Sequence, residues 1–168
     1  MIRLLIAVLA VTRLWGQAPI EALNVKAFGA IGDGTADDTA AIAATLAAAR
    51  VAKKSVLIPA GTYLTDTITG ISQAGMTISG EGAESTILKS RKGTNVIETT
   101  GASLHSITIK DLRIDGSRGA SNHGIYFHDN RFPSFEISLS NLTFINVGGR
   151  AIYLPSAFSL ALDNVQAS

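Results

Sequence analysis

The hydrophobic positions of this chain follow a helical period near its start and an alternating period over its second half. Ile42, Leu46 and Ala49 recur on one face of a 3.6-residue period, within a segment rich in alanine. This spacing predicts an α-helix over about residues 38–53. Further along, short runs alternate apolar and polar residues, which predicts β-strands.

One strand motif recurs three times and carries a polar residue, Asp or Asn, before its third apolar position. The segments are ITIKDLRI from Ile107, ISLSNLTF from Ile137 and LALDNVQA from Leu160, and the polar residues are Asp111, Asn141 and Asn164. A second motif recurs between them, as NVIE from Asn95, GIYF from Gly124 and AIYL from Ala151.

The order of these repeats predicts the fold class. Strands that recur in a fixed order, with irregular loops between them, indicate an all-β solenoid in which each coil stacks on the next. The Asp and Asn residues are expected to stack at one corner, because they tolerate left-handed backbone angles. MTISGEGAESTIL from Met76 is expected to be an earlier, less regular coil. The alternative is an antiparallel β-sandwich, but two motifs repeating in the same order favour the solenoid.

The alignment of the second motif matches Val96 with Ile125 and Ile152, and it places Glu98 at the position of Phe127. We therefore expect Val96 to face the interior. Glu98 is expected to stand at an apolar position, which makes this repeat weaker than the first.

A glycine-rich loop lies between a short strand, predicted over residues 23–28, and the helix. Its sequence is GAIGDG, and its glycines permit backbone angles that other residues avoid. Asp37 and Asp38 are expected to cap the helix by accepting hydrogen bonds from its first amides. A metal or phosphate site is the competing interpretation. However, the loop lacks the Lys-Ser/Thr pair of a phosphate-binding loop and the alternating oxygen ligands of a calcium-binding loop.

The first residues, MIRLLIAVLAVTRLWGQA, have the layout of a secretory signal peptide. Arg3 precedes an apolar run from Leu4 to Val11, and the small residues Gly16 and Ala18 follow. This predicts a signal over residues 1–18, with a secreted or periplasmic location for residues 19–168. The run is too short for a stable membrane span, which needs about 20 residues.

Composition narrows the class of protein. The chain has 168 residues, of which 46% are hydrophobic and 16% charged, and this excludes a disordered chain. Its 14 basic and 13 acidic residues argue against a nucleic-acid partner, because phosphate binding needs clustered Lys and Arg. The absence of cysteine excludes a disulfide scaffold and a cysteine nucleophile.

The segments NVKAFGAIGDGTADDTAAI and SVLIPAGTYL strongly resemble the N-terminal part of the pectate-lyase-like superfamily, above all its rhamnogalacturonase/epimerase-like pectate lyase branch. The resemblance runs from about Leu23 to Leu88 and continues as pattern only. It implies a right-handed parallel β-helix with an N-terminal capping α-helix. The last coil stops in mid-pattern, so we expect a stack truncated before a C-terminal cap. The residues of the motif are Asn24, Gly29, Gly32, Asp33, Gly34, Asp37, Asp38, Pro59 and Gly61.

Candidate chemistry is sparse. A polysaccharide hydrolase needs two carboxylates, whereas a lyase needs a base and a cation or Arg. Ordinary turn and loop roles compete with catalysis for every candidate. No cofactor is evident, and Ca²⁺ is a candidate only for a lyase. The weak catalytic candidates are Asp115, Asp129, His123 and His128, and Tyr126 or Phe132 is expected to stack on a sugar.

The signal peptide and the resemblance together predict an exported carbohydrate-active protein. Its full-length form is expected to be a hydrolase or lyase of a pectin-like, acidic polysaccharide. The alternatives are a non-catalytic glycan-binding or tailspike-like surface module, and an epimerase that acts on polymer sugars. In enzymes of the resembled family the active groups lie on later coils. We therefore expect the catalytic residues beyond residue 168 and this chain alone to be inactive, while its oligomeric state stays open.

Overall fold

The computed structural model describes residues 21–71, 74–99, 105–128, 135–155 and 159–168. The predicted signal peptide lies outside these ranges. The described residues form one α-helix, α1 (Thr39–Ala52), and one short 3₁₀-helix (Val25–Phe28). The strands are β1 (Leu23–Asn24), β2 (Asp33–Asp37), β3 (Val56–Leu57), β4 (Gly61–Thr65), β5 (Ile68–Ile71), β6 (Thr77–Ser79), β7 (Thr86–Ser90), β8 (Ile97–Thr99), β9 (His105–Gly119), β10 (Ile125–Phe127), β11 (Phe135–Val147), β12 (Ile152–Tyr153) and β13 (Leu160–Ala167).

The paired strands are parallel and stack the chain into coils with three faces. The first face holds β1, β3 and β6, and the second holds β2, β4 and β7. The first halves of the long strands β9, β11 and β13 belong to the first face, and their second halves belong to the second face. The third face is a separate sheet in the order β12-β10-β8-β5. The fold is therefore a parallel β-helix, as the repeats predict, and not an antiparallel sandwich.

The corner between the first two faces is built as expected. Asp111, Asn141 and Asn164 all have left-handed backbone angles, with φ of 59°, 48° and 47°. Asn141 donates a hydrogen bond of 2.9 Å to Asp111, and Asn164 donates one of 3.0 Å to Asn141. Each bond joins one coil to the next, so this polar ladder stabilises the stack along its axis.

The first repeat motif has the predicted register, and its apolar residues fill the interior. Ile109 lies between Ile78 and Leu139, and all three are buried. On the second face Ile114 lies between Leu88 and Phe144 in the same way. The segment from Met76 supplies β6 and β7, so it is the earlier coil that the sequence indicates.

The predicted alignment of the second motif is wrong by one residue. Ile97, and not Val96, pairs with Ile125, so Glu98 pairs with Tyr126 instead of standing at an apolar position. Val96 and Ile97 are both apolar and both buried, with exposures of 0% and 1%, so hydrophobicity does not distinguish the two registers. A slip of one residue exchanges the faces of a strand, and the true register places Glu98 on the outer face.

The helix covers the N-terminal end of the stack, as predicted. Ile42, Leu46 and Ala49 are buried on one of its faces. The strand predicted over residues 23–28, however, ends at Asn24. The Asn24 side chain accepts a hydrogen bond of 2.9 Å from the Lys26 N–H, and this contact starts the 3₁₀-helix.

Asp38 has a different role from the predicted helix cap. Its carboxylate is buried and accepts N–H groups of the glycine loop, from Ile31 at 2.6 Å and from Gly32 at 3.2 Å, and it makes no capping bond. Asp37 instead accepts the N–H of Thr39, the first helical residue, at 3.0 Å. Hydrogen bonds from the Thr39 hydroxyl and N–H, with a smaller contribution from Arg91, lower the pKa of Asp37.

The motif glycines make room for Tyr63, whose ring is fully buried beneath the loop. Gly32 has a φ of +72°, and a Cβ there would lie 2.8 Å from Cζ of Tyr63. A Cβ on Gly61 would lie 2.7 Å from the Gly32 carbonyl oxygen. The observed loop is shorter than the predicted GAIGDG, because β2 begins at Asp33, whose carboxylate accepts the N–H groups of Thr35 and Ala36.

No helix within the described ranges is long and apolar enough to cross a membrane.

Candidate functional site

The third face carries a column of polar and aromatic side chains on its outer surface. Ile97 and Ile125 point into the core, with exposures of 1% and 0%. Successive side chains of a strand point to opposite faces. The next residues, Glu98, Tyr126 and Tyr153, therefore point outward and lie in register on β8, β10 and β12.

Three rings of this column, His123, Tyr126 and Tyr153, form what we term the ring cluster. The two tyrosine rings are stacked, with centroids 4.9 Å apart and an angle of 6° between their planes. The His123 ring lies 5.4 Å from that of Tyr126 and 5.2 Å from that of Tyr153, nearly parallel to both. Parallel strands hold side chains of neighbouring coils about 4.8 Å apart, and this spacing suits aromatic stacking.

Backbone and side-chain hydrogen bonds hold His123 in place. The main-chain N–H of His123 donates to the Asn95 side-chain oxygen at 2.6 Å. The ring atom Nδ1 of His123 accepts the Arg150 main-chain N–H at 2.9 Å. The guanidinium carbon of Arg150 lies 5.2 Å from the centroid of the Tyr153 ring. The ring cluster thus has a cationic group at its upper end, on the coil of β12.

Glu98 and His128 form the lower end of the column, opposite Arg150. Glu98 accepts a hydrogen bond of 2.7 Å from the Asn95 side-chain amide, and its other oxygen lies 3.3 Å from Nε2 of His128. The His128 ring stands edge-on to that of Tyr126, with centroids 4.8 Å apart. Asn95 therefore links the two histidines, since it bonds both to His123 and to Glu98.

A polar groove of about 360 Å³ adjoins this lower end. The groove lies beside the N-terminal ends of β5, β8 and β10, and Asn95 and Glu98 belong to both the groove and the column. Its buried floor includes Asn122, whose amide donates to the carbonyls of Thr94 at 3.2 Å and Gly116 at 2.7 Å. The groove is lined by Thr67, Gly93, Thr94, Asn95, Glu98, Ser121 and Asn122.

The column and the groove together offer groups suited to a carbohydrate. Hydroxyl, amide and carboxylate groups can bond sugar hydroxyls, and Arg150 can pair with a carboxylate. Imidazole and phenol groups can also donate or accept protons. Within the described ranges, no group of three or more His, Asp or Glu side chains could hold a metal ion.

The sequence candidates fall in different places. His123 and His128 lie in the column, whereas Asp115 lies on the second face. Asp115 is buried and accepts hydrogen bonds from the Ser117 N–H at 2.9 Å and the Asn146 amide at 3.0 Å, which is a turn-stabilising role. Asp129 and Phe132 lie outside the described residues.

Tyr126 lies in the column, but Tyr153 covers one face of its ring. Sugar stacking on Tyr126 therefore stays a prediction.

Sequence reasoning missed Glu98, Asn95, Arg150 and Tyr153. A signal for Tyr153 was present, because GIYF and AIYL repeat a tyrosine at the same position. Glu98 needed the correct register of the second motif, and Asn95 and Arg150 are recruited by backbone contacts to His123 that no spacing reveals.

Comparison with known families gives the class of protein. Residues 22–104 match the family model described as "Rhamnogalacturonase A/epimerase, pectate lyase-like". With the parallel β-helix, this match supports a pectate lyase-like superfamily domain in this chain.

The chain also resembles individual proteins. The chain is 36% identical over 108 residues to the mannuronan C5-epimerases AlgE3 and AlgE5 of Azotobacter vinelandii, over 56% of its own length. It spans 6% of the first and 11% of the second.

Solved structures show the same fold. The A-module of mannuronan C-5 epimerase AlgE6 of Azotobacter vinelandii matches with a TM-score of 0.73 at 22% identity, over 85% of this chain and 43% of that one. The AlgE4 A-module from the same organism matches with a TM-score of 0.67 at 21% identity, over 87% and 50%.

Proposed function

We propose that this chain is part of an exported enzyme that epimerises uronate residues within a polysaccharide, and that the polymer lies along the column of the third face. One observation carries the proposal: the 36% identity over 108 residues to proteins named mannuronan C5-epimerases. These relatives favour the epimerase alternative over the hydrolase or lyase that the sequence analysis puts first.

The chemistry of epimerisation fits the groups of the column. Inversion at C5 of a uronate breaks the C5–H bond next to the carboxylate and returns a proton to the opposite face of the ring. The reaction therefore needs groups that accept and donate a proton, and a cation that stabilises the charge on the carboxylate. Arg150 supplies a cation, while His123, Tyr126 and Tyr153 supply groups that exchange or donate protons.

The third face also has the shape for a linear polymer. Glu98, Tyr126 and Tyr153 lie one above another on successive coils, and the polar groove lies beside them at the starts of β5, β8 and β10. A glycan lying parallel to the stack axis would contact each coil in turn, so one repeated contact per coil supports binding.

The reaction is tested with the complete gene product on polymannuronate in D₂O. An epimerase incorporates deuterium at C5 and inverts that centre, which is read by proton NMR, while the polymer keeps its length. New reducing ends would indicate a hydrolase, and an unsaturated product absorbing in the ultraviolet would indicate a lyase. Polymer binding without any of these reactions would leave a glycan-binding module, and each of these three results would contradict the proposal.

Export is tested separately by sequencing the N-terminus of the protein found outside the cytoplasm. We expect it to begin near residues 17–19, after the segment that resembles a signal peptide. An intact Met1 on the cellular product would contradict this part of the proposal.

A further inference from the structure

The polar groove carries a negative charge, although it adjoins the proposed binding site for a negatively charged uronate. Among the described residues that line it, Glu98 alone is charged, and the others are Thr, Ser, Asn and Gly. The Glu98 side chain is 25% exposed, so its carboxylate faces the groove but is partly shielded from water.

The neighbouring groups do not cancel this charge permanently. The Asn95 amide that bonds Glu98 is neutral, and His128 neutralises it only when the imidazole is protonated. Lys92, which precedes the groove residue Gly93, is paired with Asp66 at 2.8 Å.

The opposite end of the column carries a positive charge. Arg150 is exposed, and none of the described carboxylates forms an ion pair with it. Its coil lies two coils above that of Glu98, which is about 10 Å along the axis at the usual spacing of parallel strands. The third face thus presents a cation and an anion to different units of a polymer lying along it.

We propose that the polar groove binds an uncharged glycosyl residue, either a neutral sugar or an esterified uronate, on the same polymer as a carboxylate-bearing residue held at Arg150. This inference rests on the proposed function and names its substrate class. A free carboxylate in the groove would lie close to that of Glu98, and like charges brought together in a partly desolvated site oppose binding. A neutral unit avoids this repulsion, and its hydroxyls can bond to Glu98, Asn95 and the groove hydroxyls. Glu98 is then the residue that determines specificity.

The test compares the binding of two polymers to the full chain by titration calorimetry at neutral pH. The probes are polymannuronate and the same polymer after partial methyl esterification. We expect the wild type to bind the esterified polymer about five- to tenfold more tightly, because repulsion from Glu98 is absent.

The variant E98Q keeps the shape of the side chain and its bond to Asn95 but removes the charge. We expect it to lose the preference by binding the free polymer more tightly. The matched control is E84Q, which removes one negative charge from a side chain that is 82% exposed and pairs with Arg113; it should keep the wild-type preference.

Equal affinity of the wild type for both polymers, or an unchanged preference in E98Q, would overturn the inference alone. Failure to bind either polymer would overturn the proposed function as well. A preference that depends on Glu98, without deuterium incorporation at C5, would support the groove while contradicting the epimerase reaction.

Discussion

The main-chain N–H of Arg150 donates a hydrogen bond of 2.9 Å to Nδ1 of His123 on the preceding coil. An imidazole nitrogen accepts a hydrogen bond only through a free lone pair, so this contact favours the tautomer with the proton on Nε2. The ring is thereby fixed in tautomer and in orientation. It presents an N–H donor next to the two tyrosines.

We therefore expect ¹⁵N NMR of the His123 side chain at neutral pH to show the Nε2–H tautomer. His123→Ala should lose about 1 kcal/mol of stability, because the Arg150 N–H loses its partner. His123→Asn, whose side-chain oxygen can take the place of Nδ1, should lose less. A predominant Nδ1–H form, or equal costs for the two variants, would contradict the assignment.

Asp38 should contribute more to stability than the exposed carboxylate of Asp33. Asp38→Ala removes the acceptor of two main-chain N–H groups beneath the loop, and we expect a loss of about 3 kcal/mol in urea unfolding. The control is Asp33→Ala, which removes an exposed carboxylate that also accepts two N–H groups. Its loss should stay below about 1 kcal/mol because water replaces the bonds. Similar losses for both would show that the burial of Asp38 is unimportant.

Asn141 combines a left-handed backbone with a bond to each neighbouring coil. Asn141→Ala removes both bonds and strains the backbone, so we expect a loss of about 2–3 kcal/mol in the free energy of unfolding. Asn141→Gly also removes the bonds but tolerates the backbone angle, and its loss should be about 1 kcal/mol smaller. Ser140→Ala, one residue away, should have little effect. If the Gly and Ala variants lost equal stability, the left-handed angle would carry no cost.

Tyr63 should make the protein sensitive to alkali. Burial, with the negative charges of Asp38 and Glu81, raises the pKa of Tyr63 from 10.0 to about 12. A group whose pKa is higher in the folded state stabilises the fold below its unfolded pKa, and this contribution is lost as the pH rises through the folded pKa. Stability should therefore fall between about pH 10 and 12.

The variant that tests this is Tyr63→Phe, followed by unfolding at several pH values. The Tyr63 hydroxyl is buried without a hydrogen-bond partner among the described residues, so its removal should cost nothing at neutral pH. The variant should also lose less stability than the wild type as the pH rises from about 10 to 12. An unchanged loss above pH 10 would assign the effect to other groups.

The sequence by itself determined the architecture of this protein. The helical period of Ile42, Leu46 and Ala49 and the strand repeat whose third copy contains Asn164 are local patterns. Each alone specifies which side of an element is buried. The positions of Asp111 and Asn141 before the third apolar residue also predicted the polar corner, because few other residue types accept its left-handed angle.

The tertiary structure alone decided the candidate site. Val96 and Ile97 are equally apolar, so only the pairing of β8 with β10 determines that Glu98 faces outward beside Tyr126. In the same way, Asp38 lies where a helix cap is expected, but the fold of the loop turns its carboxylate toward Ile31 and Gly32. A hydrophobic pattern specifies which residues are buried, whereas the partner of a polar group depends on which backbone the fold brings within hydrogen-bonding distance.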